Sequence, residues 1–271
     1  MVAQTISLPN VKRMFIPDEG YTIIDADLEK ADAQIVAWES GDEELKQIFR
    51  EGKNLHIENA KMIYGLSHVE KSNEQGSPYH RAKQGVHAVN YGVRARRLAE
   101  VLGCTVHEAD MFIKRWFSAH PRILGWHKRI QIELKQYRKV VNPFGFERFY
   151  FDRVESIFTE ALAWVPQSTV AIVTNKGLLN IDNNIPEAQL LLQVHDSLVA
   201  QVPTFTCPHI FDKILQEMNI EIPYDDPLTI PVAISASNLS WGDTKECRKN
   251  NNRWEVLIGN EWQEWSENAN V

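Results

Sequence analysis

The sequence predicts an α+β fold, because short β-type runs lie on both sides of a helix-rich middle. Apolar runs typical of strands occupy residues 21–24, 190–202 and 228–236, and helical spacing prevails between the first two. A chain of 271 residues that is 44% hydrophobic has enough material for one large or two small globular domains. Disordered, collagenous and disulfide-scaffold classes are therefore excluded.

The N-terminal third begins with a strand, an acidic strand end and a helix. The apolar run from Tyr21 to Ile24 ends in Asp25-Ala26-Asp27, and residues 31–49 show helical periodicity. Ser77 before Pro78 is typical of an N-cap followed by the first helical position, which predicts a helix that carries residues 79–91.

The middle of the chain continues with helices. Helical spacing predicts segments at Thr105–Ser118, Arg122–Tyr137 and Val154–Leu179. Pro166 lies inside the last of these segments and is expected to bend it, because proline lacks the N–H that the helix interior requires.

The C-terminal part returns to strands. The segment LLLQVHDSLVAQV at 190–202 predicts two strands with His195-Asp196-Ser197 at the turn between them. A short helix at 211–218 and an edge-type strand at 228–236 follow. Beyond Asp243 we expect an appendage in which Gly259-Asn260 turns between two strands. Its tryptophans either dock a partner or cover the sheet's own edge; they are Trp254, Trp262 and Trp265.

Charge is distributed unevenly along the chain. The net charge is −7, yet residues 80–150 contain 14 Lys and Arg against 5 Asp and Glu. This basic segment is either a set of solvated helix faces or a surface for phosphate groups. Three well-separated cysteines, the lack of an apolar stretch of about 18 residues and the lack of a leader-like N-terminus predict a soluble protein without membrane association. Its expected location is the cytoplasm, or the host cytoplasm if the chain is viral.

Two aspartates at strand ends suggest a metal site. Asp27 follows one apolar strand and Asp196 lies within the predicted hairpin. Either one alone is most simply a turn residue, whereas two carboxylates presented by adjacent strands are typical ligands of Mg²⁺. Two such ions activate an attacking hydroxyl and stabilise a leaving phosphate oxygen.

The helix after Pro78 offers groups for a nucleotide. Lys83, His87 and Tyr91 are spaced by four residues and share one face, while His80 and Arg81 lie near the positive N-terminus of the helix. A cation and an aromatic ring on one face suit a triphosphate and a base. The alternative is an amphipathic surface helix whose ring only packs in the core, and spacing alone favours neither.

Ordered segments of the chain resemble the family A DNA polymerases, the DNA polymerase I class. The resemblance rests on Asp27 and on four further segments: RAKQGVHAVNYG (81–92), PFGFERFY (143–150), VPQST (165–169) and QVHDSLVAQV (193–202). The HAVNYG form is similar to that of many tailed-phage enzymes. SGDEELKQIF (40–49) also resembles the segment after the family's first motif.

The resemblance implies a particular subdomain arrangement. It implies an antiparallel-sheet palm at 1–45 and 151–243, helical fingers inserted at 46–150, and a Trp-rich hairpin appendage at 244–271. Only 26 residues precede Asp27. We therefore expect thumb and exonuclease domains to be absent, and either a second chain that supplies them or a minimal enzyme of poor processivity.

The resemblance also implies residue roles. It assigns the two metal-binding aspartates to Asp27 and Asp196, with the backbone carbonyl of Leu28 completing one metal shell, and the cofactor to two Mg²⁺ ions that Mn²⁺ can replace. Asp32 matches the steric gate, which is usually Glu. Lys83 matches the triphosphate-binding lysine and general acid. The remaining matches are His87 against the sugar, Tyr91 beside the insertion site, and Gln167 and His195 on the primer-template.

Some positions depart from the family's pattern. Tyr79 stands where the family has an arginine, so that triphosphate binding falls to His80 or Arg81 instead. Ser197 replaces the acidic residue that commonly follows the second aspartate.

The activity that the resemblance implies is template-directed DNA synthesis from dNTPs on primer-template DNA. The alternative is a non-catalytic DNA-binding subunit of a replication assembly that retains the fold. A two-metal nuclease would leave the helix face with Lys83 unused. A reverse transcriptase is disfavoured because its Tyr-x-Asp-Asp turn is absent.

Overall fold

The computed structural model describes residues 10–72 and 74–266 and confirms the α+β class. The helices are α1 (Ala31–Ser40), α2 (Glu43–Arg50), α3 (Leu55–Tyr64), α4 (Pro78–Asn90), α5 (Ala95–Leu102), α6 (Val106–Ala119), α7 (Pro121–Tyr137), α8 (Val154–Asn184) and α9 (Cys207–Glu217). The strands are β1 (Tyr21–Leu28), β2 (Lys139–Val141), β3 (Glu147–Phe149), β4 (Gln189–Val194), β5 (Ser197–Pro203), β6 (Glu221–Ile222), β7 (Leu228–Thr229), β8 (Val232–Ser237), β9 (Lys245–Asn250), β10 (Arg253–Ile258) and β11 (Glu261–Glu264).

The chain divides into two compact units. The sheet unit comprises the described parts of Met1–Glu29, Ala171–Glu221 and Thr229–Val271, and the helical unit comprises Lys30–Val170 and Ile222–Leu228. These limits differ from the domain boundaries expected after residues 45 and 150, because α1 and the first half of α8 belong with the helices. In the described part of the chain, no helix is both long enough and apolar enough to cross a membrane.

The sheet unit is built on seven antiparallel strands in the order β11-β10-β9-β8-β1-β5-β4. β1 lies between β5 and β8, and its Ile23, Ile24 and Leu28 are fully buried. The expectation of a strand that stops at Ile24 was wrong. The strand continues to Leu28 because burial alternates there, with Ala26 and Leu28 buried and Asp27 exposed.

The C-terminal strands extend this sheet. The prediction of one edge strand at 228–236 was wrong. Its first residues form β7, which belongs to a separate two-stranded sheet with β6, and the rest belongs to β8, which pairs with β9 and lies inside the large sheet. The Gly259-Asn260 turn between β10 and β11 was predicted correctly. Trp254 and Trp265 pack edge-on against Phe211 of α9, with ring centroids 5.0 and 5.1 Å apart. Covering the protein's own sheet is thus the alternative that the structure supports.

The helical unit contains α1–α7, the first part of α8 and the small β2-β3 hairpin. Its centre is polar as well as apolar. The buried indole Nε1 of Trp116 donates to Asn90 Oδ1 at 2.9 Å, and a ring nitrogen of His127 lies 2.8 Å from the Asn90 carbonyl. These contacts fix the end of α4 against α6 and α7.

Helix ends follow capping chemistry. The Ser77 hydroxyl accepts from the His80 N–H at 3.2 Å, and Thr105 forms a capping box with Glu108, so both predicted starts are confirmed. The single helix expected at 31–49 was wrong. Gly41 adopts φ +67 after α1, and Asp42 caps α2 by accepting from the Leu45 N–H at 3.0 Å.

Candidate active site

Adjacent strands of the sheet unit present the two aspartates predicted to bind metal. In the antiparallel pairing of β1 with β5, Asp27 stands directly opposite Ser197, the residue that follows Asp196. The Leu28 N–H donates to the Asp196 carbonyl at 3.1 Å. Asp27, Leu28 and Asp196 are therefore brought together at one end of the sheet.

A tight turn holds Asp196 in place. Only His195 and Asp196 connect β4 to β5, and His195 adopts a left-handed backbone with φ +56. Both β4 and β5 are paired up to the turn, with Val194 opposite Ser197. His195, predicted to contact primer-template, is exposed at the tip of this hairpin beside the carboxylate pair.

The local field at Asp27 is strongly negative. Partial burial of the carboxyl, followed by the charges of Asp196 and Asp25, raises the pKa of Asp27 to about 6. Lys12 opposes this shift without cancelling it. A bound cation would stabilise both carboxylates in their charged form.

The donor set fits Mg²⁺ in a particular way. Within residues 10–72 and 74–266, no three His, Cys, Asp or Glu side chains converge on one point as an all-protein metal cage would require. Magnesium is commonly bound through one or two carboxylates, with water and substrate phosphates completing the octahedron. Asp27 and Asp196 supply such an oxygen pair.

The helical unit carries the predicted nucleotide face on α4. Lys83 and His87 are both exposed along the helix, and Tyr91 is its C-cap residue. The rings of His87 and Tyr91 meet edge to face with centroids 4.8 Å apart. The predicted shared face is therefore present, with a cation in its middle and an aromatic pair at its C-terminal end.

Asp32 lies at the aromatic end of that face. Burial raises the pKa of the Tyr91 hydroxyl, and the charge of the nearby Asp32 raises it further. The tyrosine therefore stays protonated, and its buried hydroxyl makes no hydrogen bond of normal geometry within the described residues. The predicted steric gate and the predicted insertion-site tyrosine are direct neighbours.

Three other predicted residues lie elsewhere. His80 contacts Gln84 at 3.1 Å in the first turn of α4. Arg81 lines a cavity of about 280 Å³ with Tyr64, Cys104 and Arg115 rather than sharing the face of Lys83. Gln167 is exposed on α8, one residue after Pro166. Their binding roles stay predictions.

One polar residue beside the carboxylate pair was not predicted. Asp25 lies two residues before Asp27 on β1 and therefore on the same face of the strand. It accepts a hydrogen bond from the Ser197 hydroxyl and another, at 2.6 Å, from Trp241 Nε1. The Asp-Ala-Asp alternation was the signal in the sequence, but it was interpreted as a strand end.

Comparisons with known proteins show which family the chain belongs to. The family described as DNA polymerase family A matches residues 3–243. The DNA polymerase I, thermostable, of Thermus filiformis is 31% identical over 246 residues, which cover 87% of this chain and 29% of that protein. The DNA polymerase of Mycobacterium phage D29 is 28% identical over 203 residues, covering 74% of this chain and 32% of the phage protein.

The fold has a solved counterpart. The POL domain of Pol1 from M. smegmatis, in complex with DNA primer-template and dNTP, superposes with a TM-score of 0.75 at 22% identity, over 89% of this chain and 44% of that one. This likeness shows the fold alone. The chain spans about three tenths of the length of the curated relatives named above. Since the family match covers most of the sequence, the chain belongs to DNA polymerase family A.

Proposed function

We propose that this chain is a template-directed DNA polymerase that transfers a nucleotide from a dNTP to a primer 3′-hydroxyl. The observation that carries the proposal is the carboxylate pair of Asp27 and Asp196 at the end of adjacent strands, whose backbones are linked by the hydrogen bond from the Leu28 N–H to the Asp196 carbonyl. Family A membership gives this pair its expected chemistry. Primer-template DNA and dNTP are the ligands bound by the structurally similar Pol1 domain, and we propose the same ligands here.

The sheet unit would bind the metal ions. We assign Mg²⁺ to the carboxylates of Asp27 and Asp196 and to the Leu28 carbonyl, with Mn²⁺ as a substitute. When bound, the ions supply Lewis acidity toward the hydroxyl and the phosphate oxygens. The protein's own contribution is to hold two like charges side by side on the paired strand β1 and the β4–β5 turn, so that little reorganisation accompanies binding.

The helical unit would bind the triphosphate and the sugar. The exposed ammonium of Lys83 pairs with phosphate oxygens and donates its proton to the departing pyrophosphate. Tyr91, near Asp32, presents its ring beside His87. We therefore propose Asp27, Asp196 and Lys83 as the catalytic residues. The two aspartates position the metal ions and supply negative charge, and Lys83 transfers a proton.

Accessory functions are a separate part of the proposal. Curated relatives are more than three times as long as the matched segment. We propose that a thumb contributed by further polypeptide, on this chain or a second one, increases processivity. A non-catalytic DNA-binding subunit is the competing proposal.

Primer extension tests the proposal. The purified chain is mixed with a labelled primer-template, Mg²⁺ and dNTPs, beside Asp27→Asn and Asp196→Asn. We expect template-matched extension that falls at least about a thousandfold in both variants, because each removes a metal ligand. Asp110→Asn is the matched control, since Asp110 forms only a surface ion pair with Lys114.

Two results would contradict the proposal, the first its mechanism and the second its polymerase activity. Extension that is equal in Asp27→Asn and wild type would remove the carboxylate pair from the mechanism. DNA binding without extension, also after candidate thumb-bearing chains are added, would favour the non-catalytic subunit.

A further inference from the structure

Asp25 is a half-buried carboxylate with both oxygens fixed. The Ser197 hydroxyl donates to one oxygen, and Trp241 Nε1 donates to the other at 2.6 Å. Because Asp25 and Asp27 are two residues apart on β1, both side chains lie on one face of the sheet. Asp25 therefore has one defined position next to the carboxylate pair.

The donor Trp241 is itself rigidly held. It is 7% exposed and belongs to an apolar cluster with Ile23 and Val199. Its backbone N–H donates to the Phe15 carbonyl at 2.9 Å, and the Phe15 ring meets the indole edge-on at 5.7 Å. This packing orients the indole N–H toward Asp25.

The other donor occupies a position with a missing charge. Ser197 directly follows Asp196 and replaces the acidic residue that the resemblance places there. The Ser197 hydroxyl donates a hydrogen bond to Asp25, and this bond links the first residue of β5 to a carboxylate on β1. The charge of Asp25 also acts on Asp27 and contributes to its raised pKa.

We propose that Asp25, held by Trp241 and Ser197, is a positioning residue that supplies the third negative charge of this metal site in place of an acid at position 197. The inference deepens the proposed function and rests on it. Asp25 keeps the turn that carries Asp196 in register with β1 and adds cation attraction without itself ligating a metal.

Direct Mn²⁺ binding tests the inference without DNA or nucleotide. Free Mn²⁺ is measured by electron paramagnetic resonance in titrations of wild type, Asp25→Asn, and the double variant Asp25→Asn with Ser197→Glu. We expect Asp25→Asn to weaken Mn²⁺ binding about tenfold, through the loss of one nearby charge. The double variant should recover most of this loss, because it returns a carboxylate beside Asp196.

Matched variants separate charge from folding. Asp18→Asn is the control, since the Asp18 carboxylate also accepts a hydrogen bond from β5, from Gln201 Nε2 at 2.8 Å, but does not act on Asp27. Its Mn²⁺ affinity should equal that of wild type. Thermal melting of every variant shows whether the sheet is intact, and rescue by Ser197→Glu is a response that a purely structural role would not give.

The outcomes distinguish this inference from polymerase activity. Mn²⁺ binding by Asp25→Asn within twofold of wild type, while Asp27→Asn loses it, would overturn the inference and leave the proposed function intact. Failure of Ser197→Glu to restore binding in a folded double variant would also overturn it. Loss and rescue of Mn²⁺ binding in a chain that extends no primer, also after candidate thumb-bearing chains are added, would support the inference and contradict polymerase activity.

Discussion

Asp32, the residue proposed as the steric gate, lies close to Tyr91. Its side chain is one methylene shorter than the Glu that the resemblance places at this position. We expect Asp32→Glu to raise the preference for dNTP over NTP at least about threefold, because the longer side chain occupies more space near the 2′ position.

Single-nucleotide incorporation with dNTP and NTP pairs measures this preference. Asp182→Glu, on the exposed side of α8, adds the same methylene at a distance from α4 and should leave the ratio unchanged. An unaltered ratio in Asp32→Glu would show that the carboxylate does not limit access to the sugar.

His56 on α3 makes stability depend on pH. Burial, followed by the charges of Lys83 and Lys30, lowers the pKa of His56 to about 4, and its Nδ1 has no hydrogen-bond partner within the described residues. The His56 imidazole binds a proton near pH 6.5 in the unfolded chain and only near pH 4 in the folded chain. The contribution of neutral His56 to the free energy of unfolding is therefore full above pH 6.5 and is lost as the pH falls toward 4.

Urea unfolding at pH 7 and pH 5 measures that loss. After allowance for solvent screening, we expect wild type to lose about 1 kcal/mol more than His56→Gln over this interval. His209→Gln replaces an exposed histidine of α9 and should behave like wild type. If the free energy of unfolding falls equally in wild type and His56→Gln between pH 7 and pH 5, a group other than His56 causes the pH dependence.

At the scale of elements, Gly85 determines how closely α4 approaches α6. A Cβ at this position would lie 2.5 Å from Phe112 Cζ, so alanine requires the ring or a helix to move. We expect Gly85→Ala to lower the free energy of unfolding by about 1–2 kcal/mol, since the clash outweighs the gain in helix propensity.

Gly125 on α7 is the matched control for this substitution. No atom lies within 4 Å of a Cβ built there, so Gly125→Ala should stabilise the protein by about 0.5–1 kcal/mol through helix propensity alone. Chemical denaturation gives both values. Stabilisation by Gly85→Ala would mean that the two helices are free to separate.

Local signals predicted the elements that begin with capping chemistry or end in short turns. Ser77 and the Gly259-Asn260 turn both function as the sequence indicates, and the helix predicted from Thr105 starts there. Contacts distant in sequence decided the rest. Asp42 stabilises the break between α1 and α2 and contacts His120 at 3.1 Å. Because His120 lies 78 residues away in sequence, local hydrophobic periodicity cannot indicate this contact.

The candidate site shows the same limit. The nearness of Asp27 to Asp196 and the shared face of α4 could be predicted, because each depends on strand or helix spacing. Asp25 could not, since its position depends on Trp241, which lies 216 residues away in sequence. Likewise, pairing of β9 with β8 made most of a predicted edge strand internal.

For the whole molecule, the uneven charge predicts how DNA binding responds to salt. The net charge of −7 opposes DNA, while residues 80–150, all in the helical unit, carry an excess of nine positive charges. If this segment contacts even three phosphates, log Kd should rise with log[KCl] with a slope of about 3. Fluorescence anisotropy with a labelled primer-template between 50 and 200 mM KCl measures the slope.

Charge-reversal variants of the basic segment show which of its side chains contact DNA phosphates. Arg94→Glu and Arg96→Glu change exposed side chains between α4 and the body of α5, and together they should reduce the slope by about 2 if both arginines contact phosphates. Lys249→Glu alters an exposed side chain in the acidic remainder and should leave the slope unchanged. A slope near zero in wild type would mean that the segment is a solvated surface, because phosphate contacts release counterions whatever the protein's net charge.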